Sequence, residues 1–222
     1  MAKSAATLDL LSGGRLELGL GAGAGAFTDA MRAMGGPERT PGEAVDALAE
    51  AIASIRALWD TSGADGVRLE GRFYPLGGAE PGPPPAHPIS IWLGAYQARM
   101  LRLTGRAADG WLPSSGYLPP DQLASANAVV DDAAEDAGRE PAAIRRLYNV
   151  TGRLDSTSRG FLHGPVEQWV DDLTRLTLEQ GVSTYLLGTD DPYLISRFAA
   201  DIAPGVRASV ATERGTSPPA RT

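Results

Sequence analysis

Residues 89–111 read ISIWLGAYQARMLRLTGRAADGW, and this stretch decides the fold. The apolar run at residues 89–93 predicts a buried strand, Gly94 predicts a turn into a helix, and the Asp-Gly pair at 109–110 predicts the start of a second strand. Because Gly94 has no side chain, backbone amides there can approach a ligand closely. The helix that follows offers N–H donors and a positive dipole end to an anion such as phosphate. The stretch therefore predicts a βαβ unit with an anion site at its turn.

Strands and helices alternate along the rest of the chain. Further strands are predicted at residues 16–20, 110–113, 147–151 and 182–187. The best-marked helix begins at Thr40-Pro41-Gly42-Glu43, which combines a capping box with proline at the first helical position. Helices between strands imply parallel pairing through right-handed crossovers, so we predict an α/β fold whose strands follow chain order. Two groups of apolar residues are expected to face inward: Leu16, Leu18, Ile91 and Leu187 in the strands, and Ile195, Phe198, Ala199 and Ile202 in a late helix.

Composition limits the possible functions. With 222 residues, 43% hydrophobic and 21% charged, the chain predicts one domain over residues 1–210, and the polar residues 211–222 predict a disordered tail. Residues 77–88, rich in proline and glycine, predict a surface loop. The absence of cysteine excludes disulfides and thiolate catalysis. A net charge of −7 disfavours nucleic-acid and membrane partners, and no apolar run is long enough to span a bilayer, so we expect a cytoplasmic protein with a small-molecule substrate.

Two stretches carry a family resemblance. IWLGA…RMLRLTGRAADGWLP at residues 91–113 and SGGRLELGLGAG at residues 12–23 resemble the luciferase-like monooxygenase superfamily, most of all its deazaflavin (F420)-dependent oxidoreductase branch. The resemblance implies a partial (β/α)8 TIM barrel, with the five strands corresponding to strands four to eight of the barrel. It also implies hydride transfer between F420 and an organic substrate, with FMN as the alternative cofactor.

The resemblance also implies an N-terminally truncated barrel. Family members draw on their first and third strands for catalysis, so no catalytic residue can be assigned in this chain. We expect the chain alone to lack turnover. Unclosed strand edges should also make it self-associate into a homo-oligomer.

The implied cofactor site has two parts. The amides of Gly94, Ala95 and Tyr96 would hold the cofactor phosphate. The end of the first predicted strand would lie near the cofactor ring, with Phe27 as a stacking or substrate-side group. The cofactor-binding residues predicted in this way are Gly21, Ala22, Gly23, Phe27, Gly94, Ala95 and Tyr96.

Other interpretations remain open. Each glycine turn can be a plain strand-to-helix connection, and the glycine run at residues 19–27 also matches the weak dinucleotide-binding pattern G-x-G-x-x-A. Ser114 and Ser115 are further pocket candidates. His87 and His163 have no metal-ligand spacing, although His163 precedes a predicted helix and could contact a phosphate. Beyond an F420 oxidoreductase, the alternatives are an FMN-dependent monooxygenase and a non-catalytic half-barrel that binds or associates.

Overall fold

A computed structural model of the chain describes residues 1–23, 28–63 and 65–216. The chain divides into two compact units, each described separately below. Unit 1 comprises Met1–Trp111 and Val129–Ile144, and unit 2 comprises Leu112–Ala128 and Arg145–Thr222. The boundaries predicted at residues 210 and 211 stay predictions.

Helices and strands alternate as predicted through most of the described residues. The helices are α1 (Ala2–Ser12), α2 (Thr28–Ala33), α3 (Pro41–Trp59), α4 (Ala98–Ala107), α5 (Leu123–Asp136), α6 (Val166–Gln180), α7 (Pro192–Arg197) and α8 (Ala203–Glu213), with a π-helical turn at Phe198–Ile202. The strands are β1 (Leu18–Leu20), β2 (Val67–Leu69), β3 (Leu76–Ala79), β4 (Ile91–Leu93), β5 (Gly110–Trp111), β6 (Arg145–Val150), β7 (Arg153–Leu154), β8 (His163–Gly164) and β9 (Thr184–Leu187). No helix among these described residues has both the length and the apolar character needed to cross a membrane.

Unit 1 contains three parallel strands in the order β1, β4, β5, as the crossover argument predicted. Ile91 and Leu93 of β4 are fully buried against α3 and α4. The predicted capping box starts α3: the Thr40 hydroxyl accepts the Glu43 N–H at 3.2 Å, and the Glu43 carboxylate accepts the Thr40 N–H at 3.1 Å. These side-chain acceptors satisfy donors that a helix start leaves open, and so they fix where α3 begins.

Unit 2 is built on the parallel pair β6 and β9, with Leu147 opposite Thr184. The Asn149 N–H donates to the Pro113 carbonyl at 2.9 Å, so the segment after β5 also runs beside β6. Helix α6 buries the indole of Trp169 completely, with Leu173 beneath it. The unit therefore repeats the strand–helix–strand arrangement predicted for residues 147–187.

Three expectations are wrong in part. The segment at residues 77–88 is not all loop, because β3 pairs with β2 as an antiparallel hairpin that ends at Ala79. Ile91 is buried as predicted, but β1 and β9 each pair on one side only within their own unit, and this leaves Leu16, Leu18 and Leu187 only half-buried. In α7 and the π-helical turn, Ile202 is buried, but Ile195 and Ala199 are exposed, Phe198 is half-buried, and Leu194 is the buried residue of α7. The π-helical turn explains this difference, because it interrupts the 3.6-residue period on which the prediction rested.

Candidate functional site

The turn between β4 and α4 is tightly held within unit 1. The Gly94 N–H donates to the Leu20 carbonyl at 3.4 Å, which joins the turn to the end of β1. Ala95 is fully buried, and its carbonyl accepts the indole N–H of Trp111 at 3.0 Å. Because this hydrogen bond is itself buried, it fixes the backbone of the turn.

Helix α4 starts at Ala98 without a side-chain cap. Gln97 is the N-cap residue, and its side chain makes no capping hydrogen bond to the helix start. Helix starts leave up to four N–H groups without partners inside the helix, and the helix dipole makes this end electropositive. The start of α4 therefore offers an anion the kind of backbone donors that the sequence predicted.

The predicted ring-side residues follow β1 directly. Since the Leu20 carbonyl accepts the Gly94 N–H, the structure brings Gly21 next to the β4 turn. A Cβ atom added at Gly21 would meet no heavy atom of the described residues within 4 Å. Gly23 has a φ of +67°, so a residue with a side chain would be strained there. The methyl group of Ala22 packs against the core of unit 1 and is half-buried. Phe27 lies outside the described residues.

The charged side chains near the turn form ion pairs and hydrogen bonds within unit 1. Arg99 forms an ion pair with Asp46 of α3. Asp109 accepts the Ile91 N–H at 2.9 Å and pairs with Arg56 at 2.8 Å, so it closes the amino end of β4. Any anion held at the β4 turn would therefore rely on backbone donors.

A polar cluster lies at the carboxyl end of β6 in unit 2. The Asn149 side chain donates to the Ser114 hydroxyl at 3.2 Å, and the Thr151 N–H donates to the Ser115 hydroxyl at 3.3 Å. Ser114 and Ser115 were candidates from the sequence, whereas Asn149 was missed because a lone amide inside the strand LYNV reads as a pairing residue. Ligands of parallel α/β folds bind outside the carboxyl ends of the strands, where this cluster lies.

The two histidines have different surroundings. The His87 ring nitrogen Nδ1 lies 3.0 Å from the carboxylate of Asp9, which is fully buried and also accepts the Leu16 N–H. Burial raises the pKa of Asp9, but the hydrogen bonds from Leu16 and His87 outweigh it and leave that pKa below its ordinary value. His87 is therefore a structural partner that ties α1 to the segment before β4. His163 is exposed in β8, before the start of α6, and the phosphate contact suggested for it by the sequence stays a prediction.

Comparison with known protein families identifies the family of this chain. The sequence model of the luciferase-like monooxygenase family matches residues 1–163. The chain belongs to the luciferase-like monooxygenase family, as the resemblance predicted. Its α/β fold with parallel strands is that of part of the family's barrel, whereas the correspondence to strands four to eight stays a prediction.

Relatives of this chain include enzymes named for carbonyl or alcohol chemistry. A phthiodiolone/phenolphthiodiolone dimycocerosates ketoreductase of Mycobacterium tuberculosis (strain ATCC 25618 / H37Rv) is 40% identical over 177 residues, covering 79% of this chain and 44% of the relative. An F420-dependent glucose-6-phosphate dehydrogenase of Intrasporangium calvum is 30% identical over 206 residues, covering 91% of this chain and 58% of the relative. The chain thus spans about half the length of the curated relatives it matches.

Solved structures agree on the fold. An F420-dependent secondary alcohol dehydrogenase superimposes with a TM-score of 0.78 at 18% identity, over 93% of this chain and 74% of the other. A long-chain alkane monooxygenase superimposes with a TM-score of 0.71 at 14% identity, over 95% of this chain and 65% of the other. At these identities the likeness concerns the fold alone.

Proposed function

We propose that this chain is the cofactor-holding part of an F420-dependent oxidoreductase that transfers a hydride between the deazaflavin and a carbonyl or alcohol carbon. The observation that carries the proposal is the 30% identity to an F420-dependent dehydrogenase over 91% of this chain. The 40% identity to a ketoreductase supports a carbonyl group as the reacting centre.

The β4 turn fits the phosphate of such a cofactor. The Gly94 N–H is engaged with Leu20 and Ala95 is fully buried, so the proposal assigns the phosphate to the amide of Tyr96 and to the uncapped start of α4. Gly21, Ala22, Gly23 and Phe27 are proposed for the ring side of the same site, and the lack of described atoms within 4 Å of an added Gly21 Cβ supports this part of the assignment.

F420, when bound, gives or accepts a hydride at its deazaflavin ring. The chain's own residues bind and orient the cofactor and keep water from the turn, where Ala95 and the Trp111 indole are buried. No residue is assigned as catalytic acid or base.

The test compares two cofactors on the same purified chain. F420 and FMN are titrated separately and followed by fluorescence. The F420-loaded chain is then mixed with a series of ketones and secondary alcohols while F420 absorbance is recorded, and we expect no turnover from this chain alone. We expect F420 to bind in the micromolar range, about −8 kcal/mol, and at least tenfold more tightly than FMN. Tighter FMN binding would instead favour a monooxygenase, and no binding of either would favour a non-catalytic half-barrel.

A further inference from the structure

Two arginines approach one carboxylate at the carboxyl end of β6. Arg153 of β7 and Arg159 of the following loop each place a guanidinium nitrogen 3.8 Å from Oδ2 of Asp155. His163 of β8 lines the same cavity, whose volume is about 150 Å³. This volume is several times the roughly 30 Å³ that a water molecule occupies in the liquid, so a tetrahedral or planar acid group has room there.

The charges in this cluster do not cancel. Two guanidinium groups face one carboxylate, in a chain whose net charge is −7. At 3.8 Å neither guanidinium is within hydrogen-bonding distance of Asp155, and neither donates a hydrogen bond to any other residue that the structure describes. Their side chains are 78% and 69% exposed, so a dissolved anion can reach them.

Asp155 does not satisfy the N–H donors of the two arginines. Its carboxylate accepts the Ser156 N–H at 2.7 Å, and this hydrogen bond, followed by the charges of Arg159 and Arg153, holds the pKa of Asp155 below its usual range against the opposing effect of burial. The carboxylate therefore stays ionised at neutral pH and competes with a dissolved anion for the two arginines. Both arginines line the cavity together with His163.

The loop that carries these residues is anchored on both sides. Leu162 is fully buried with a φ of +53°, a conformation that costs free energy for a residue with a side chain and persists where the surroundings enforce it. Its N–H donates to the carboxylate of Asp172 on α6 at 3.1 Å, and its carbonyl accepts the Arg153 N–H at 2.9 Å. The backbone on either side of Leu162 is thus held in place by hydrogen bonds before any ligand arrives.

We propose that Arg153, Arg159 and His163 form an anion subsite that binds the phosphate or carboxylate group of a small molecule. Guanidinium groups present several N–H donors in a fixed plane and bind such acid groups in a bidentate manner. The subsite lies beyond the carboxyl end of β6, where parallel α/β folds place their ligands. The proposal does not depend on the cofactor, because inorganic phosphate alone suffices to test it.

The experiment is a calorimetric titration of the full chain with inorganic phosphate at constant ionic strength. We expect Arg159→Gln and Arg153→Gln each to weaken phosphate binding at least fivefold. Asp155→Asn should strengthen it at least threefold, because it removes the competing negative charge. An unfolded variant cannot bind more tightly, so this second result separates the subsite from simple misfolding.

The matched control is Arg145→Gln, which removes an exposed arginine at the amino end of the same strand. Phosphate binding should be unchanged in this variant. An equal loss in Arg145→Gln and Arg159→Gln, or no loss in Arg159→Gln, would overturn the proposal. Two further ligands then identify the source of the acid group: a sugar phosphate whose affinity falls in Arg159→Gln indicates a substrate group, and F420 whose affinity falls indicates a cofactor group.

Discussion

The connection after β4 and the connection after β6 occupy equivalent places in a parallel α/β fold, yet they use different chemical groups. Residues 94–97 form a short uncharged turn whose useful donors are backbone amides. Residues 151–165 form a longer connection that carries Arg153, Asp155, Arg159 and His163. Each lies at the carboxyl end of a strand, and each is proposed above to hold an acid group.

This difference teaches that two proposed anion sites of one fold should differ in their sensitivity to mutation. Backbone donors cannot be removed by changing a side chain. Anion binding at the β4 turn should therefore be weakened only by a bulky side chain that blocks the amides or by a change that loosens the backbone. In the longer connection, each side-chain donor can be removed by a single substitution. The stability of the loop that carries these side chains depends on close packing where the loop leaves β6. Four predictions test this contrast.

The largest effect is expected at Gly152, at the base of the longer connection. A Cβ atom there would lie 2.6 Å from the Trp169 ring and 2.7 Å from Cβ of Leu162, and would also collide with the Leu162 carbonyl oxygen. Gly152→Ala should therefore lower the free energy of unfolding by about 3 kcal/mol, measured by urea denaturation. Gly116→Ala, where an added Cβ meets nothing within 4 Å, should change it by less than about 0.5 kcal/mol. Equal urea midpoints for Gly152→Ala and Gly116→Ala would show that close packing at Gly152 does not stabilise the chain.

The second prediction concerns bulk in the short turn. Gly94→Val should weaken F420 binding at least 30-fold, about 2 kcal/mol, because a branched side chain keeps the phosphate from the backbone amides. The far-ultraviolet circular dichroism of the variant should remain that of the folded chain. Gly77→Val adds the same side chain to the β2–β3 hairpin at an open position, and F420 affinity should not change. If Gly94→Val binds F420 as tightly as the wild type, the cofactor does not bind at this turn.

The short turn could be predicted from sequence, whereas in the longer connection only His163 was singled out, as a possible phosphate contact. The run WLGAY followed by a helical pattern is a local signal, and so is the capping box at Thr40. The pairing of Arg153 and Arg159 with Asp155 depends on the path of a loop, and that path depends on a non-glycine residue, Leu162, with positive φ. No local propensity predicts such a residue, because its conformation is imposed by packing and by Asp172.

The β2–β3 hairpin was missed for a related reason. Its second strand reads LGGA, and glycine has low strand propensity, so residues 77–88 looked like loop throughout. Gly78, with a φ of +100°, lies near the irregular register between the two strands, a place where glycine is favoured. Among the site residues, Asn149 was missed because its partner Ser114 comes from a different segment of the chain.

The third prediction compares two buried indoles, one in each region. Trp111→Phe removes the N–H that the Ala95 carbonyl accepts, and should lower the free energy of unfolding by about 1.5 kcal/mol more than Trp169→Phe. The Trp169 indole N–H has no partner within the described residues, so replacing it loses packing but no hydrogen bond. Both side chains are buried, at 1% and 0% exposure, which makes the pair well matched. A larger loss in Trp169→Phe would show that the short turn does not depend on this hydrogen bond.

The smallest effect is expected at Tyr185 of β9, whose phenol donates to the Leu173 carbonyl of α6 at 2.7 Å. Burial raises the pKa of Tyr185 to about 12, with the Thr177 hydroxyl acting in the opposite direction. The unfolded phenol ionises near pH 10, so the stability that this group contributes is present below pH 10 and is lost as the pH rises toward 12. Between pH 9 and 10.5 the wild-type chain should lose about 1 kcal/mol more than Tyr185→Phe in urea denaturation. Tyr193→Phe, which removes an exposed phenol, should follow the wild type. If Tyr185→Phe also follows the wild type, burial against α6 does not hold the Tyr185 phenol in its protonated form.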